Sequence, residues 1–241
     1  VVAQNTLTDK CSDYLPVRSV SILYFITKRV FDFVLASIGL ILLTPLFAII
    51  ALLVKLDSPG PAFFIQERVG AKPRFHNGRV FWETRNFTVY KFRSMLQNAD
   101  PTVHQSYIEA YVHGDKDASA NPEKVFKLTN DARITRVGHI LRKTSLDELP
   151  QLINVLQGTM SLVGPRPLPV YEVALYEEWQ RERLACLPGM TGLWQVMGRC
   201  RVGFDDQIQM DIEYVRTQSL LLDFKILVLT LPAVISGQGA G

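Results

Sequence analysis

Residues 33 to 54, FVLASIGLILLTPLFAIIALLV, form an uncharged run of 22 residues, and this run constrains the chain more than any other stretch. As helix, at about 1.5 Å per residue, it reaches roughly 33 Å, the thickness of bilayer hydrocarbon. The plain reading is a transmembrane helix. Two features oppose it. Pro45, preceded by Thr44, stands near the middle. Proline removes an i to i−4 hydrogen bond and bends a helix, and a Thr hydroxyl can help satisfy the freed carbonyl. Lys28 and Arg29 precede the run, and Lys55, Arg68, Lys72 and Arg74 follow it. Positive charge collects on the cytoplasmic side of a membrane, so both ends belong to one face. A re-entrant helix, entering and leaving the same leaflet, meets that demand. A kinked span and a buried core helix stay open as the other readings.

Composition supports a membrane contact. Hydrophobic residues make up 48% of the 241-residue chain although 20% are charged, and the mean hydropathy is +0.12. A second apolar stretch, SLLLDFKILVLTLPAVI (219–235), is interrupted by Asp223 and Lys225 and limited by Pro232. It is too short to span and reads as an interfacial or core-packing helix. The net charge of +3 is mild, and with no reader motif it argues against nucleic acid. Cys11, Cys186 and Cys200 are odd in number and far apart, which fits a reducing compartment. His76, His104, His113 and His139 have no zinc-ligand spacing. The chain opens on Val1 rather than Met, as a piece of a longer protein would.

The pattern predicts an α+β fold, mostly helical, with a small β-hairpin, the re-entrant helix and interfacial amphipathic helices. Its parts are an N-terminal segment (1–27), the membrane helix (28–56) and a membrane-associated domain (57–241). PAFFIQERV and RVFWETRNFTVYKFRSM carry the aromatic and β-branched residues of two strands. PTVHQSYIEAYVHG (101–114) has helical spacing, and DKDASANPE (115–123) reads as a loop. PQLINVLQG is a short helix stopped by Gly158; MSLVGPRPLP and LPGMTGLWQVMGRC are rigid or glycine-punctuated loops. VYEVALYEEWQRERLAC (170–186) and DDQIQMDIEYVRT read as helices.

In KTSLDELPQL, Asp147 and Glu148 stand side by side. Ser145 and Glu148 match a capping box, and acids suit a first helical turn. Pro150 opposes a helix starting at Ser145, because proline prefers the first helical position and pushes Leu149 away from αR. If Pro150 opens the helix, both acids lie just ahead of an N-terminus that favours phosphate. Capping and a functional pair are both open on this stretch alone. The surroundings carry Arg142-Lys143, Lys91-Phe-Arg93, and Arg166 braced between Pro165 and Pro167. Vicinal carboxylates with such cations suggest a diphosphate and Mg²⁺. No P-loop or dinucleotide fingerprint is present.

Taken in order, KRVFDFVLASIGLILLTPLFAIIALLVKLDSPGPAFFIQERVG, YKFRSM, RKTSLDELPQLINVLQGTMSLVGPRP, PGMTGLWQV and DIEYVRTQSLLLDFKILVLT resemble the bacterial sugar transferase family. These are the monotopic phosphoglycosyl transferases, and the likeness runs from about residue 25 to the end. The resemblance implies transfer of a sugar-1-phosphate from a UDP-sugar to undecaprenyl phosphate with release of UMP. It implies Mg²⁺, a membrane lipid partner, the cytoplasmic face of the bacterial inner membrane, and exopolysaccharide or glycoconjugate synthesis. It leaves room for a homo-oligomer. Thr44 and Pro45 would break the membrane helix. Asp147 would be the nucleophile, with Glu148 on the metal, so that both acids serve as catalytic and metal residues. Lys91, Arg93, Arg142 and Arg166 match positions around the phosphates, and Asp211 and Tyr214 match a D-x-x-Y segment. The stretch Gly70–Phe87 is longer than the usual hairpin turn. A membrane-bound nucleotide-sugar diphosphatase and a non-catalytic scaffold are the rival readings, and the sugar is not readable.

Overall fold

The protein was analysed as a computed structural model, which describes residues 20–98, 102, 105, 106, 108, 131–198 and 203–235. The loop expected over 115–123, most of the helix expected over 101–114, and most of the N-terminal segment lie outside them.

Strand β1 (Val20–Ser21) leads into helix α1 (Ile22–Asp57), 36 residues long. That is about 54 Å of helix, longer than the expected 28–56. Ser21 caps it, accepting from the Tyr24 N–H at 3.2 Å, so the apolar residues before Lys28 already belong to the helix. Pro45 lies inside it, and Thr44 Oγ1 donates to the Leu40 carbonyl at 2.7 Å. The carbonyl that Pro45 deprives of a donor is that of Ile41, one residue on, so Thr44 back-bonds its own turn rather than repairing the gap.

The polar residues at the start of α1 are spent inside the protein. Lys28 pairs with Asp223 at 2.7 Å. Arg29 donates to the Met160 and Val155 carbonyls, each at 3.1 Å, and Asp32 accepts from the Leu162 N–H at 3.2 Å. At the other end, Asp57 Oδ2 accepts from the Val137 N–H at 2.9 Å, and Ile50 and Val54 pack with Phe92 and Leu141. Both ends of α1 therefore grip one body. Its other face, with Leu23, Val30, Phe33, Ile41, Leu42, Ile49, Leu52 and Leu56, is exposed and apolar, which points to membrane association.

Strands β2 (Phe63–His76) and β3 (Arg79–Phe92) pair antiparallel in unbroken register from Phe63↔Phe92 to His76↔Arg79. The turn is Asn77-Gly78, both at positive φ (46° and 75°), as a two-residue hairpin turn requires. The extra length of Gly70–Phe87 is thus strand, not turn, within a sheet that stays small. Strand β1 joins the outer side of β3.

Helix α2 (Arg136–Lys143) is capped by Thr135, whose side chain accepts from the Gly138 N–H. A 3₁₀ turn (Leu146–Glu148) hands on to α3 (Gln151–Gln157), ended by Gly158 at φ 80°. The two expected loops each contribute a short strand, β4 (Ser161–Val163) and β5 (Gly189–Thr191), paired in parallel. The helix expected over 170–186 is broken into α4 (Val170–Val173) and a 3₁₀ turn (Trp179–Leu184). One cause is that the Glu177 N–H bonds the Gln180 side chain instead of a helical carbonyl. Short α5 (Leu193–Met197), then α6 (Phe204–Thr217) and α7 (Leu220–Ile235) complete the chain. The main core joins Ala36 of α1, Val80, Trp82 and Val89 of the hairpin, Leu152 and Val155 of α3, Tyr214 of α6 and Ile226 of α7.

Candidate active site

Ser145 takes a left-handed conformation (φ 57°, ψ 16°), uncommon for a residue with a side chain. Its hydroxyl caps nothing, so no capping box forms. The Glu148 N–H instead reaches the Ser145 carbonyl at 3.2 Å, closing the 3₁₀ turn. Pro150 follows at the head of α3, where its missing N–H leaves no gap. Leu149 is nevertheless in αR (φ −53°, ψ −36°), against the expectation from Pro150. Hydrogen bonds on both sides, Leu149 N to the Leu146 carbonyl and Leu152 N to the Leu149 carbonyl, hold it there. Both acids therefore lie ahead of the helix and are free of capping work.

Three predicted residues converge. Glu148 Oε1 receives Lys91 Nζ at 2.7 Å and Arg166 Nη2 at 2.6 Å, and Oε2 receives Arg166 Nη1 at 3.2 Å. Lys91 comes from the end of β3. Arg166 comes from the loop after β4, where close contact between backbones fixes the chain: a Cβ on Gly189 would lie 2.0 Å from Gly164 N. The Arg183 guanidinium, at 3.3 Å from the Arg166 carbonyl, and that of Arg68, at 3.3 Å from the Pro167 carbonyl, hold the same loop.

Asp147 is different from its neighbour. It is 9% exposed and accepts no hydrogen bond from the described residues. Burial raises its pKa, the Glu148 charge adds to this, and Lys91, Arg166 and Arg142 oppose it. Burial also acts to raise Glu148, but Arg166 and Lys91 overcome it and hold that carboxyl well below the usual range. The pair thus holds one tightly salt-bridged carboxylate and one uncommitted one. Arg142, in the last turn of α2, bears on Asp147 electrostatically and makes no ion pair within 4 Å of a described residue.

Three other predicted residues are engaged elsewhere. Arg93 is 4% exposed and its guanidinium donates to the carbonyls of Val54, Ser58 and Pro59, tying off the C-terminus of α1. Asp211 is ion-paired with Arg183, which also donates to the Tyr176 hydroxyl. The Tyr214 hydroxyl bridges the Val163 carbonyl (3.0 Å) and Asp223 Oδ1 (2.7 Å). Each is tied into buried structural contacts, and none of the three pairs with Glu148. The residue sequence reasoning missed is Arg68, whose charge bears on Arg166, Lys91 and Glu148. Its signal was present only in part: it alternates with Gln66 on one face of β2, but Lys72, Arg74 and His76 continue that polar face.

The donor set suits Mg²⁺ rather than zinc. Among the described residues no group of three or more His, Cys, Asp or Glu gathers to hold a metal. Mg²⁺ is commonly held by one or two carboxylates, with phosphates and waters filling its shell. Asp147, with no other partner, and the remaining lone pair of Glu148 fit that mode.

A family model described as bacterial sugar transferase matches residues 23–237. The chain is 40% identical over 213 residues to "Exopolysaccharide production protein ExoY" of Rhizobium meliloti (strain 1021), covering 88% of this chain and 87% of that one. It is 41% identical over 237 residues to "Undecaprenyl-phosphate galactose phosphotransferase" of Salmonella typhimurium, covering 98% of this chain and 44% of that one. It is 36% identical over 227 residues to "UDP-N-acetylgalactosamine-undecaprenyl-phosphate N-acetylgalactosaminephosphotransferase" of Aeromonas hydrophila, covering 90% of this chain and 46% of that one.

Proposed function

Because the chain belongs to the bacterial sugar transferase family, we propose that it moves a sugar-1-phosphate from a UDP-sugar to undecaprenyl phosphate and releases UMP. The observation that carries this reading is the contrast within the acidic pair. Glu148 is locked between Lys91 and Arg166, while Asp147 is buried and uncommitted beside it. A carboxylate held in this way is placed for nucleophilic work.

In the first step an Asp147 oxygen attacks the sugar-proximal phosphorus. The bond from that phosphorus to the bridging oxygen breaks, and UMP leaves with the electron pair. In the second step an oxygen of the lipid phosphate attacks the same phosphorus, and the Asp147 carboxylate is restored. The covalent route spares the site from holding two mutually repelling anions at once. Arg166, Lys91 and Arg142 supply fixed positive charge where charge moves onto the leaving phosphate. Mg²⁺, held by Asp147 and Glu148, would add Lewis-acid neutralisation of the diphosphate.

The acceptor lies in a membrane, and the attachment of both α1 ends to one body supports a helix that stays in one leaflet. That leaflet is the cytoplasmic one of the inner membrane, where nucleotide sugars are made. The relatives' names differ in their sugar, galactose in one and N-acetylgalactosamine in another. The test is a panel of UDP-sugars assayed for UMP release with undecaprenyl phosphate and Mg²⁺. UMP release that needs the lipid supports transfer. Equal release without it, sustained over many turnovers, would mean that water is the acceptor and that the protein is a diphosphatase.

A further inference from the structure

We propose that Arg68 is a phosphate-binding residue of this site, taking phosphoryl oxygens of a substrate beside Arg166; the proposal rests on the transferase reading above.

Arg68 sits midway along β2, opposite Phe87. The strand is stitched to the arginine loop at this point, because the Val69 N–H donates to the Leu168 carbonyl at 2.9 Å. Arg68 Nη1 donates to the Pro167 carbonyl at 3.3 Å, and Nη2 to Gln66 Oε1 at 2.6 Å. The guanidinium is therefore mounted against the residue next to Arg166, with Gln66 fixing its rotation. Two of its N–H groups are used in this way. A guanidinium offers five.

Among the described residues its charge has no ion-pair partner of its own. Among the described residues, Arg166 and Lys91 share Glu148, Arg183 has Asp211 and Lys28 has Asp223, but no carboxylate lies within 4 Å of Arg68. Glu172 bears on it electrostatically without forming an ion pair, and burial raises that carboxyl. A clasp for the Pro167 carbonyl needs only a neutral donor. Placing a second cation beside Arg166 in a partly desolvated wall is unfavourable unless an anion joins them. Burial, with repulsion from Arg166, brings Arg68 down to about 10, still protonated at neutral pH. Arg68 and Arg142 are thus two guanidinium groups without ion-pair partners among the described residues in the neighbourhood of the dyad. Arginine forks suit phosphoryl oxygens in this setting. The anion is either the diphosphate of the nucleotide sugar or the phosphate of the lipid, and kinetics separates them.

The experiment uses the full chain in detergent or nanodiscs, as wild type, Arg68→Gln and Arg68→Lys. Gln keeps a neutral donor for the Pro167 carbonyl; Lys keeps the charge without the fork. KM is measured for the UDP-sugar and for undecaprenyl phosphate, and UDP binding is measured separately by calorimetry. Arg68→Gln should raise one KM tenfold or more, with kcat at saturation within about threefold, and Arg68→Lys should fall between it and wild type. A rise for the UDP-sugar, with an equal loss of UDP affinity, assigns the diphosphate. A rise for the lipid alone assigns the acceptor phosphate. Both KM values and UDP affinity within about twofold of wild type, or a lower kcat with both KM values unchanged, would leave Arg68 as a loop clasp and overturn the proposal. If Arg68→Gln does not fold, Arg68→Lys decides by the same criteria. A wild type that releases no UMP with any UDP-sugar would sink the transferase reading instead, and UDP affinity would still report on Arg68.

Discussion

Arg166 grips Glu148 with both ends of its guanidinium, Nη2 to Oε1 at 2.6 Å and Nη1 to Oε2 at 3.2 Å. The fork is planar and its mount is stiff, since Pro165 and Pro167 flank it. Lys in its place would keep the charge but could hold only one oxygen at a time. Arg166→Lys is expected to cost tenfold or more in kcat/KM, the size of about one charge-assisted hydrogen bond. Steady-state kinetics on the folded variant checks this. Wild-type kinetics would mean that the fork is a surface ion pair without catalytic weight.

The buried cluster around Asp223 predicts a stability effect rather than a kinetic one. Asp223 is 1% exposed and holds Lys28 at 2.7 Å and the Tyr214 hydroxyl at 2.7 Å, joining α7, α1 and α6. Removing one partner strands a buried charge. Asp223→Ala should destabilise by about 3–5 kcal/mol, far more than loss of a surface ion pair. Thermal melts in detergent measure it; a melting point unchanged to within a degree or two would show that Lys28 reaches water.

For α1 the prediction is topological. Thr27 and Lys55 are exposed near its two ends, and both ends bond to the same body. Cysteines at these positions should react with an impermeant maleimide from one side of the membrane only, the cytoplasmic side. Labelling from opposite sides would require one end of α1 to leave the body it is bonded to.

Metal dependence follows from the oxygen donors of Asp147 and Glu148. Chelation should abolish turnover, and Mg²⁺ should restore it where Zn²⁺ substitutes poorly. Full turnover in excess chelator would remove the metal from the reaction.

Much of this was legible in the chain. The uncharged run with Pro45 marked α1, and Pro150 argued against a helix starting at Ser145, while capping stayed open until the 3₁₀ turn was seen. Elements set by local signals were readable, including the Gly158 stop. The Asn77-Gly78 turn was equally local, and reading it would have fixed the hairpin's register. What the sequence hid is tertiary. Lys28 and Arg29 read as membrane flanks, yet their partners, Asp223 and the Met160 and Val155 carbonyls, lie far along the chain. Arg93 and Arg166 look alike as isolated basic residues. Only packing shows that one ties off three carbonyls while the other meets Glu148. Strands β4 and β5 are three residues each, too short for a periodicity, and they exist because Gly164 and Gly189 let two backbones touch.

Asp147 carries the sharpest prediction. It is buried, accepts no hydrogen bond from the described residues and caps no helix, so its retention as a carboxylate needs a chemical reason. Asparagine keeps the size, and with no hydrogen bond to lose the fold should tolerate it. Since burial raises the carboxyl's pKa, replacing it with a neutral amide should leave stability equal or slightly higher at neutral pH. Activity should nevertheless vanish, because an amide cannot form the acyl phosphate that links Asp147 to the sugar phosphate. In wild type, UDP-sugar without lipid should release no more than about one UMP per site and leave an adduct on the peptide containing Asp147. With both substrates varied, initial rates should give the parallel lines of a ping-pong scheme. The discriminating pair of measurements is the melting point and the turnover of Asp147→Asn. An intact melt with no turnover and no adduct supports the nucleophile. Near-normal turnover would return Asp147 to a passive role, and an adduct found by mass spectrometry on another residue would move the chemistry there.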